Sequence, residues 1–284
     1  MTQSDSSNYI LQARSDKFHW EGTGQLSIKT FMNGRAFYKT NRGYFSVEEG
    51  RYLLVNDGPY TITIEEDRQV ESFCIFFKKG FAEDIYRALG DSPDQLITDP
   101  FKGCGPIEFF EKTYDITPSI ARQIQLTQRL HTYPKDSWCE EQYHIVMENL
   151  LTSHFHHLKR TESIHAVKHS TREEIYRRIT IAHEYIRAYY HHALTLDDIA
   201  MVACLSQNHL IRTYSQLYGK TPHRHISELR IEKAKRLLKY PDLSITAITF
   251  ELGFQNPVSF SKMFKQFVGC SPTLYRKKVI LEKN

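Results

Sequence analysis

Before Gly80, apolar and polar positions alternate with the period of extended chain. Leu26-Ser27-Ile28-Lys29-Thr30-Phe31 has the pattern of a half-buried strand. Gly43 to Val47, Tyr60 to Ile64 and Val70 to Phe77 read as further strands, with Asn33-Gly34 and Asp57-Gly58-Pro59 marking turns. Short strands divided in this way predict a small barrel or sandwich. Its aromatic residues, among them Trp20, Phe31, Tyr38, Tyr44, Phe45 and Tyr52, could line a pocket or fill a core, and the pattern leaves both open. Beyond Gly80 the spacing becomes helical. Phe81 to Leu89 predicts a helix, Gly90 to Pro106 a loop, and Thr117-Pro118 the start of another helix. From Asp136 a longer helix follows, with Tyr143, Val146, Met147, Leu150, Leu151, Phe155 and Leu158 at helical intervals. Ile120, Ile124, Tyr143, Val146, Leu150 and Leu158 form an apolar stripe on these helices, expected to pair two copies of the chain.

The remainder reads as helix and contains an internal repeat. Leu196, Ile199, Cys204 and Leu205 match Ile245, Ile248, Gly253 and Phe254, each 49 positions on. Past the turn the offset becomes 50, and Leu210, Tyr214, Gly219 and Pro222 match Phe260, Phe264, Gly269 and Pro272. Each copy reads as a short helix, a tight turn and a second helix ending at Gly-x-x-Pro. Ser206 and Asn256 are placed to cap the two second helices, and Thr195 with Asp198 to cap the first helix of the first copy. Between the copies, Thr221 to Lys239 predicts an amphipathic helix of about 17 residues, roughly 25 Å long. A rigid spacer of that length can hold two recognition helices near the roughly 34 Å repeat of successive major grooves.

Charge sharpens this picture. From Arg172 onward 18 Lys and Arg stand against 10 Asp and Glu, a net of +8, whereas residues 1–171 carry 19 against 23, a net of −4. A basic half joined to an acidic half suits a nucleic-acid-binding module on a separate domain. The 284 residues favour two domains. We expect a first domain over 1–160, a polar linker over 161–173 and a helical domain over 174–284. No apolar run approaches the ~20 residues of a membrane span. The start of the chain lacks a basic segment followed by an apolar one, so no secretory signal is expected. Cys74, Cys104, Cys139, Cys204 and Cys270 are odd in number and form no CxxC pair, which suits a reducing cytoplasm.

The helical segment resembles the AraC/XylS family of bacterial transcription regulators from Ile181 to Arg276. The likeness is carried by LTLDDIAMVACLSQNHLIRTYSQLYGKTPHRHISELRIEKAKRLL and by LSITAITFELGFQNPVSFSKMFKQFVGCSPTLYR. The family's Leu-Ser turn is Leu205-Ser206, followed by Leu210, and its spacer pattern is Leu229-Arg230, Ala234 and Leu237-Leu238. Gly253-Phe254, Ser259-Phe260-Ser261, Phe264, Pro272 and Tyr275-Arg276 complete the second copy. Three residues depart from the family pattern: Thr249 replaces a small Ala, Tyr214 a Phe and Cys204 a Gly. All three read as packing positions. The first recognition helix is also sparsely charged, with Arg212 its one basic residue. The resemblance implies an α+β chain, with a cupin-like β-barrel and helical extension followed by an all-α domain of two helix-turn-helix units joined by a long helix. It also implies a sequence-specific, DNA-binding transcription regulator controlled by a small effector in its N-terminal domain. The partners expected are double-stranded DNA, that effector, a second copy of the chain and RNA polymerase, with no membrane and no cofactor. The effector-binding residues are unassigned.

Helical spacing turns Leu210, Tyr214 and Leu217 inward on the first recognition helix, leaving Gln207, Asn208, Ile211, Arg212 and Ser215 outward. On the second, Phe260, Phe264 and Phe267 turn inward and Val258, Ser259, Lys262 and Gln266 outward. Asn pairs well with adenine, Arg with guanine, and an aliphatic side chain meets a thymine methyl. By family position Asn208, Ile211, Arg212, Val258, Ser259 and Lys262 are expected to read bases, and Ser206, Ser261 and Lys265 to meet phosphates; the outward Gln207 is expected to contact DNA as well. The alternatives weighed are a metal-free cupin-like enzyme and a protein-interaction adaptor. Neither catalytic residues nor a metal site are expected. Only His19 lies within 18–80, and His154 and His157, three apart on the long helix, supply too few ligands for zinc. Gly22-Thr23-Gly24 lacks the rest of a phosphate loop, and no nucleophile motif is present. An adaptor would have no need of outward Asn208, Arg212 and Lys262 on matched helices.

Overall fold

The computed structural model describes residues 7–90, 98–99, 105–130, 137–161 and 169–281. Most of the expected Gly90–Pro106 loop, and 162–168 of the expected linker, lie outside them. The chain forms two compact units, Met1–Glu173 and Glu174–Asn284.

The first unit is one seven-stranded antiparallel sheet curled into a nearly closed barrel. Its strands are β1 (Tyr9–Gly24), β2 (Ser27–Met32), β3 (Arg35–Thr40), β4 (Gly43–Glu48), β5 (Arg51–Val55), β6 (Gly58–Phe76) and β7 (Thr113–Asp115). The two strands expected at Tyr60–Ile64 and Val70–Phe77 are a single strand. The polar run between them contains no Gly or Pro to break it, and β1 pairs along β6 from Gly24↔Gly58 to Tyr9↔Phe76. The other edge of β6 is shared between β3 at its start and β2 at its end. The β1–β6 ladder breaks register between Ser15 and Lys17, where residues 66–69 of β6 bulge against Asp16 alone, and most residues of β1 are exposed. Sequence alternation therefore did not reveal it: an edge strand held through its backbone needs no apolar face.

β2 is buried on both faces, not half-buried as its pattern suggested. One face joins Phe31, Ala36, Tyr38, Phe45, Val47 and Leu53 in the first core. The other puts Ile28 with Tyr52, Leu54, Phe73 and Ile75, against helices α1 (Phe81–Gly90), α2 (Pro118–Leu130) and α3 (Ser137–Thr161). Phe31, Tyr38, Phe45 and Tyr52 are core residues; Trp20 stays partly exposed beside Tyr60. Ile124, Tyr143, Val146 and Leu150 are buried in the same cluster, with Ile120 packed against it. The stripe assigned to dimerisation is thus covered by its own chain. The side chain of Leu158 lies outside the described residues.

Two polar residues end up where their sequence context did not place them. His154 is buried, its ring 5.1 Å from that of Phe109 and 5.6 Å from that of Phe110. Burial, aided by Lys112, pushes its pKa down to about 4, so it is neutral at physiological pH and not an exposed helix-end histidine. Lys29 is fully buried in β2. Its Nζ donates to Tyr60 Oη at 3.2 Å and lies 3.7 Å from the centroid of the Phe76 ring. Among the described residues no carboxylate pairs with it. Burial pulls its pKa down to about 8, and the nearby Cys74 acts in the opposite direction.

The ammonium therefore crosses into the barrel charged at neutral pH, at a cost that ring faces and one phenol offset only in part. Lys29→Met should raise the stability of the N-terminal unit by about 1–3 kcal/mol at pH 7, measured by urea denaturation. Unfolded lysine holds its proton up to its ordinary value and the native one releases it near pH 8. The penalty is accordingly constant below pH 8, and the gap between parent and variant should narrow as pH rises toward 10.5. A less stable variant would show that the ammonium contributes more than it costs.

Candidate nucleic-acid interface

The second unit starts within α4 (His169–Tyr189), whose first turn lies before the boundary, in the expected linker span. The first short helix is α5 (Leu196–Val202). Thr195 caps it by accepting from Asp198 N at 3.1 Å, and Asp198 accepts in return from Thr195 N at 3.0 Å. Thr195 Oγ1, donating to Asp198 Oδ2 at 2.6 Å, and Thr195 N together hold the Asp198 carboxyl below its ordinary range. After the turn Ser206 caps α6 (Gln207–Tyr218), which ends at Gly219 in the left-handed region, φ 68°. Thr221 caps α7 (Pro222–Leu237), the connector. Ser244 caps α8 (Ile245–Glu251), Asn256 caps α9 (Pro257–Val268), and Gly269 closes α9 at φ 85°. α10 (Pro272–Leu281) follows.

The two turns are alike bond for bond. Leu205 N donates to Ala200 O at 2.9 Å, and Phe254 N to Thr249 O at 3.2 Å. Cys204 and Gly253 occupy the same left-handed position, at φ 52° and 74°. Cys204 is exposed, so its departure from Gly concerns backbone conformation and not packing. Gly253 has a further constraint, because a Cβ there would lie 2.4 Å from the carbonyl oxygen of His191. Thr249 and Tyr214 are buried packing positions as expected.

α7 holds the units together. Ile226 enters the first core with Ile199, Leu210 and Tyr214; Ile231, Ala234 and Leu238 enter the second with Ile248, Phe260 and Phe264. Arg230 donates from Nε to Tyr190 O and from Nη2 to His192 O, both at 2.7 Å, while its guanidinium lies 5.2 Å from the centroid of the Phe254 ring. Sequence spacing had marked this residue only as polar. The Tyr214 hydroxyl also meets Nδ1 of His183 on α4, at 2.9 Å, and Nδ1 of His225 on α7. A tyrosine in place of phenylalanine thus ties the first recognition helix to both neighbours.

With their inner faces fixed, α6 and α9 present the opposite faces to solvent. Ser206, Gln207, Asn208 and Arg212 are exposed and Ile211 is half-buried. Val258, Ser259, Lys262 and Lys265 are exposed and Ser261 is half-buried. Ser206 is occupied as a cap, and Gln207 donates to Asp197. Among the described residues the side chains of Asn208, Arg212, Lys262 and Lys265 have no partner. Phe267, expected inward, is 39% exposed, whereas Val268 next to it packs against the second core. Gln266 is exposed. Among the described residues no group of three or more His, Cys, Asp or Glu side chains could hold a metal ion.

A family model described as a helix-turn-helix domain matches residues 199–278. An uncharacterized HTH-type transcriptional regulator, YdeC, of Bacillus subtilis strain 168 is 24% identical over 264 residues, covering 91% of this chain and 85% of that protein. The MmsAB operon regulatory protein of Pseudomonas aeruginosa is 34% identical over 97 residues, covering 34% of this chain and 32% of that protein. A solved transcriptional regulator from Chromobacterium violaceum, described as an AraC-type DNA-binding domain protein, is 28% identical. It covers 36% of this chain and 91% of that one, with a TM-score of 0.34.

The paired turns respond differently to substitution. Gly253→Ala should cost at least about 2 kcal/mol, since it adds both left-handed strain and the clash with His191. Cys204→Gly should leave stability within about 1 kcal/mol of the parent. Tyr214→Phe should cost about 1–2 kcal/mol by removing the hydroxyl shared by two histidines. Thermal and denaturant unfolding check all three, and equal costs at Gly253 and Cys204 would contradict the geometry.

Proposed function

We propose that residues 174–284 are a helix-turn-helix domain of the AraC type and that the chain is a sequence-specific DNA-binding regulator of transcription; a helix-turn-helix family model matching residues 199–278 supports the reading. The observation that carries the reading is the free outer face of α6 and α9: Asn208 and Arg212 on one helix, Ser259 and Lys262 on the other, backed by cores that share α7. The 16 residues of α7 span about 24 Å. Asn208, Ile211, Arg212, Val258, Ser259 and Lys262 read bases in this proposal; Ser206, Ser261 and Lys265 approach phosphates, and Gln207 supports the turn through Asp197.

The family resemblance supports control by a small effector in the N-terminal domain, and action through RNA polymerase. We assign no enzymatic activity and place the protein in the cytoplasm. No helix among the described residues is long and apolar enough to cross a membrane. A homodimer would place four recognition helices on two half-sites. Its interface must lie outside the buried stripe of α2 and α3.

Selection of duplexes from a random pool by the full chain tests the reading. Affinity for the selected duplex should fall steeply with salt as phosphate contacts release counterions. Arg212→Ala should cost about 1–3 kcal/mol and relax preference at one base pair. Lys265→Ala should weaken selected and unrelated duplexes by the same factor. If Arg212→Ala left affinity and preference unchanged, the assigned reading face would be wrong.

A further inference from the structure

A cavity of about 470 Å³ opens between the first turns of α7 and the C-terminal half of α9. His223, Arg224 and Ser227 form one wall, and Met263, Gln266 and Phe267 the other. The position is specific to the repeat. The first wall begins four residues after Gly219 closes the first recognition helix, and the second wall belongs to the other recognition helix itself. Gln266 stands one turn beyond Lys262 on the outward side of α9, so the cleft continues the exposed face of that helix.

Its chemistry is two-sided. Glu228 accepts from Arg224 Nε at 3.0 Å and from Lys220 Nζ at 2.6 Å. Burial opposes the Glu228 charge, but the two cations prevail and its carboxyl stays below the ordinary range. The trio keeps a net positive charge. Because Glu228 takes only the Nε edge of Arg224, neither Nη group has a partner among the described residues. Among the same residues the Gln266 amide has none either. Opposite Arg224, on the same wall as Gln266, Phe267 is 39% exposed, with Met263 beside it. Cationic donors facing an apolar floor complement a sugar–phosphate backbone, whose phosphates take charge-assisted hydrogen bonds and whose deoxyribose carbons pack on rings. A duplex read by two helices in successive major grooves carries such a backbone across the gap between them.

We propose that this cleft seats the DNA backbone between the two reading helices. Arg224 donates through Nη to a phosphate oxygen, and Glu228 positions its guanidinium. Gln266 supplies a neutral donor, and Phe267 packs against the sugar. The inference rests on the DNA-binding reading above and adds a contact that carries no base information but fixes the spacing of the two base-reading sites.

The test uses the full chain and a duplex selected from a random pool, with an unrelated duplex beside it. Arg224→Ala should weaken both duplexes by the same factor, about threefold to tenfold, and lower the salt slope by about one. Arg224→Lys, which keeps the charge, should recover most of the slope. Ethylation of phosphates between the two major-groove footprints should interfere with binding by the parent and by Arg212→Ala, but no longer by Arg224→Ala. Unchanged melting temperatures separate these effects from misfolding. Unaltered affinity and slope in Arg224→Ala, with no interference at the intervening phosphates, would overturn the cleft assignment while leaving the reading helices in place. Absence of any duplex binding by the parent would overturn both.

Discussion

Helix α7 lends side chains to two hydrophobic cores, and this sharing governs what the C-terminal unit can do. Ile226 is fixed in one core and Ile231, Ala234 and Leu238 in the other, so neither unit can rotate about the helix without opening a core. Arg230 adds a directional lock. Its two hydrogen bonds hold carbonyls at the end of α4 and just beyond it, and its face covers Phe254 of the second turn. A pair of recognition helices held in this way meets DNA as a single rigid template, and less orientational freedom is lost on binding.

The C-terminal unit was legible in the sequence because its signals are local. Ser206, Asn256, Thr195 and the glycines at 219 and 269 act within one turn of chain, so identity and spacing suffice to place them. What sequence could not supply were relationships across elements. Arg230 looks like any polar residue of an amphipathic helix until the carbonyls of Tyr190 and His192 come within reach. Phe267 obeys the inward spacing of Phe260 and Phe264 but is left partly exposed, lining the cleft that faces the first turns of α7. Cys204 resembles a packing substitution unless its backbone conformation is known.

The N-terminal unit was harder for the same reason. Strands take their partners from distant positions, and β6 reads as two strands because its continuity depends on β1, more than forty residues away, which pairs with it on both sides of the polar middle. The stripe on α2 and α3 was visible, yet only the folded sheet shows that Ile28, Tyr52 and Ile75 already cover it. Lys29 gives the opposite lesson. Its alternation with Ile28 pointed to solvent, but a strand enclosed on both sides has no solvent face.

The register break between β1 and β6 bears on how the molecule behaves at high concentration. β1 is the last strand on its side of the sheet, and among the described residues nothing pairs with its outer edge. A flat edge of that length is a template for indefinite addition of strands from other chains, the first step toward cross-β aggregation. The irregularity between Ser15 and Lys17 breaks that template midway, and Arg14, Asp16 and Lys17 place charge where an incoming strand would have to dock. The N-terminal unit thus keeps an exposed ladder while denying other chains a register in which to extend it.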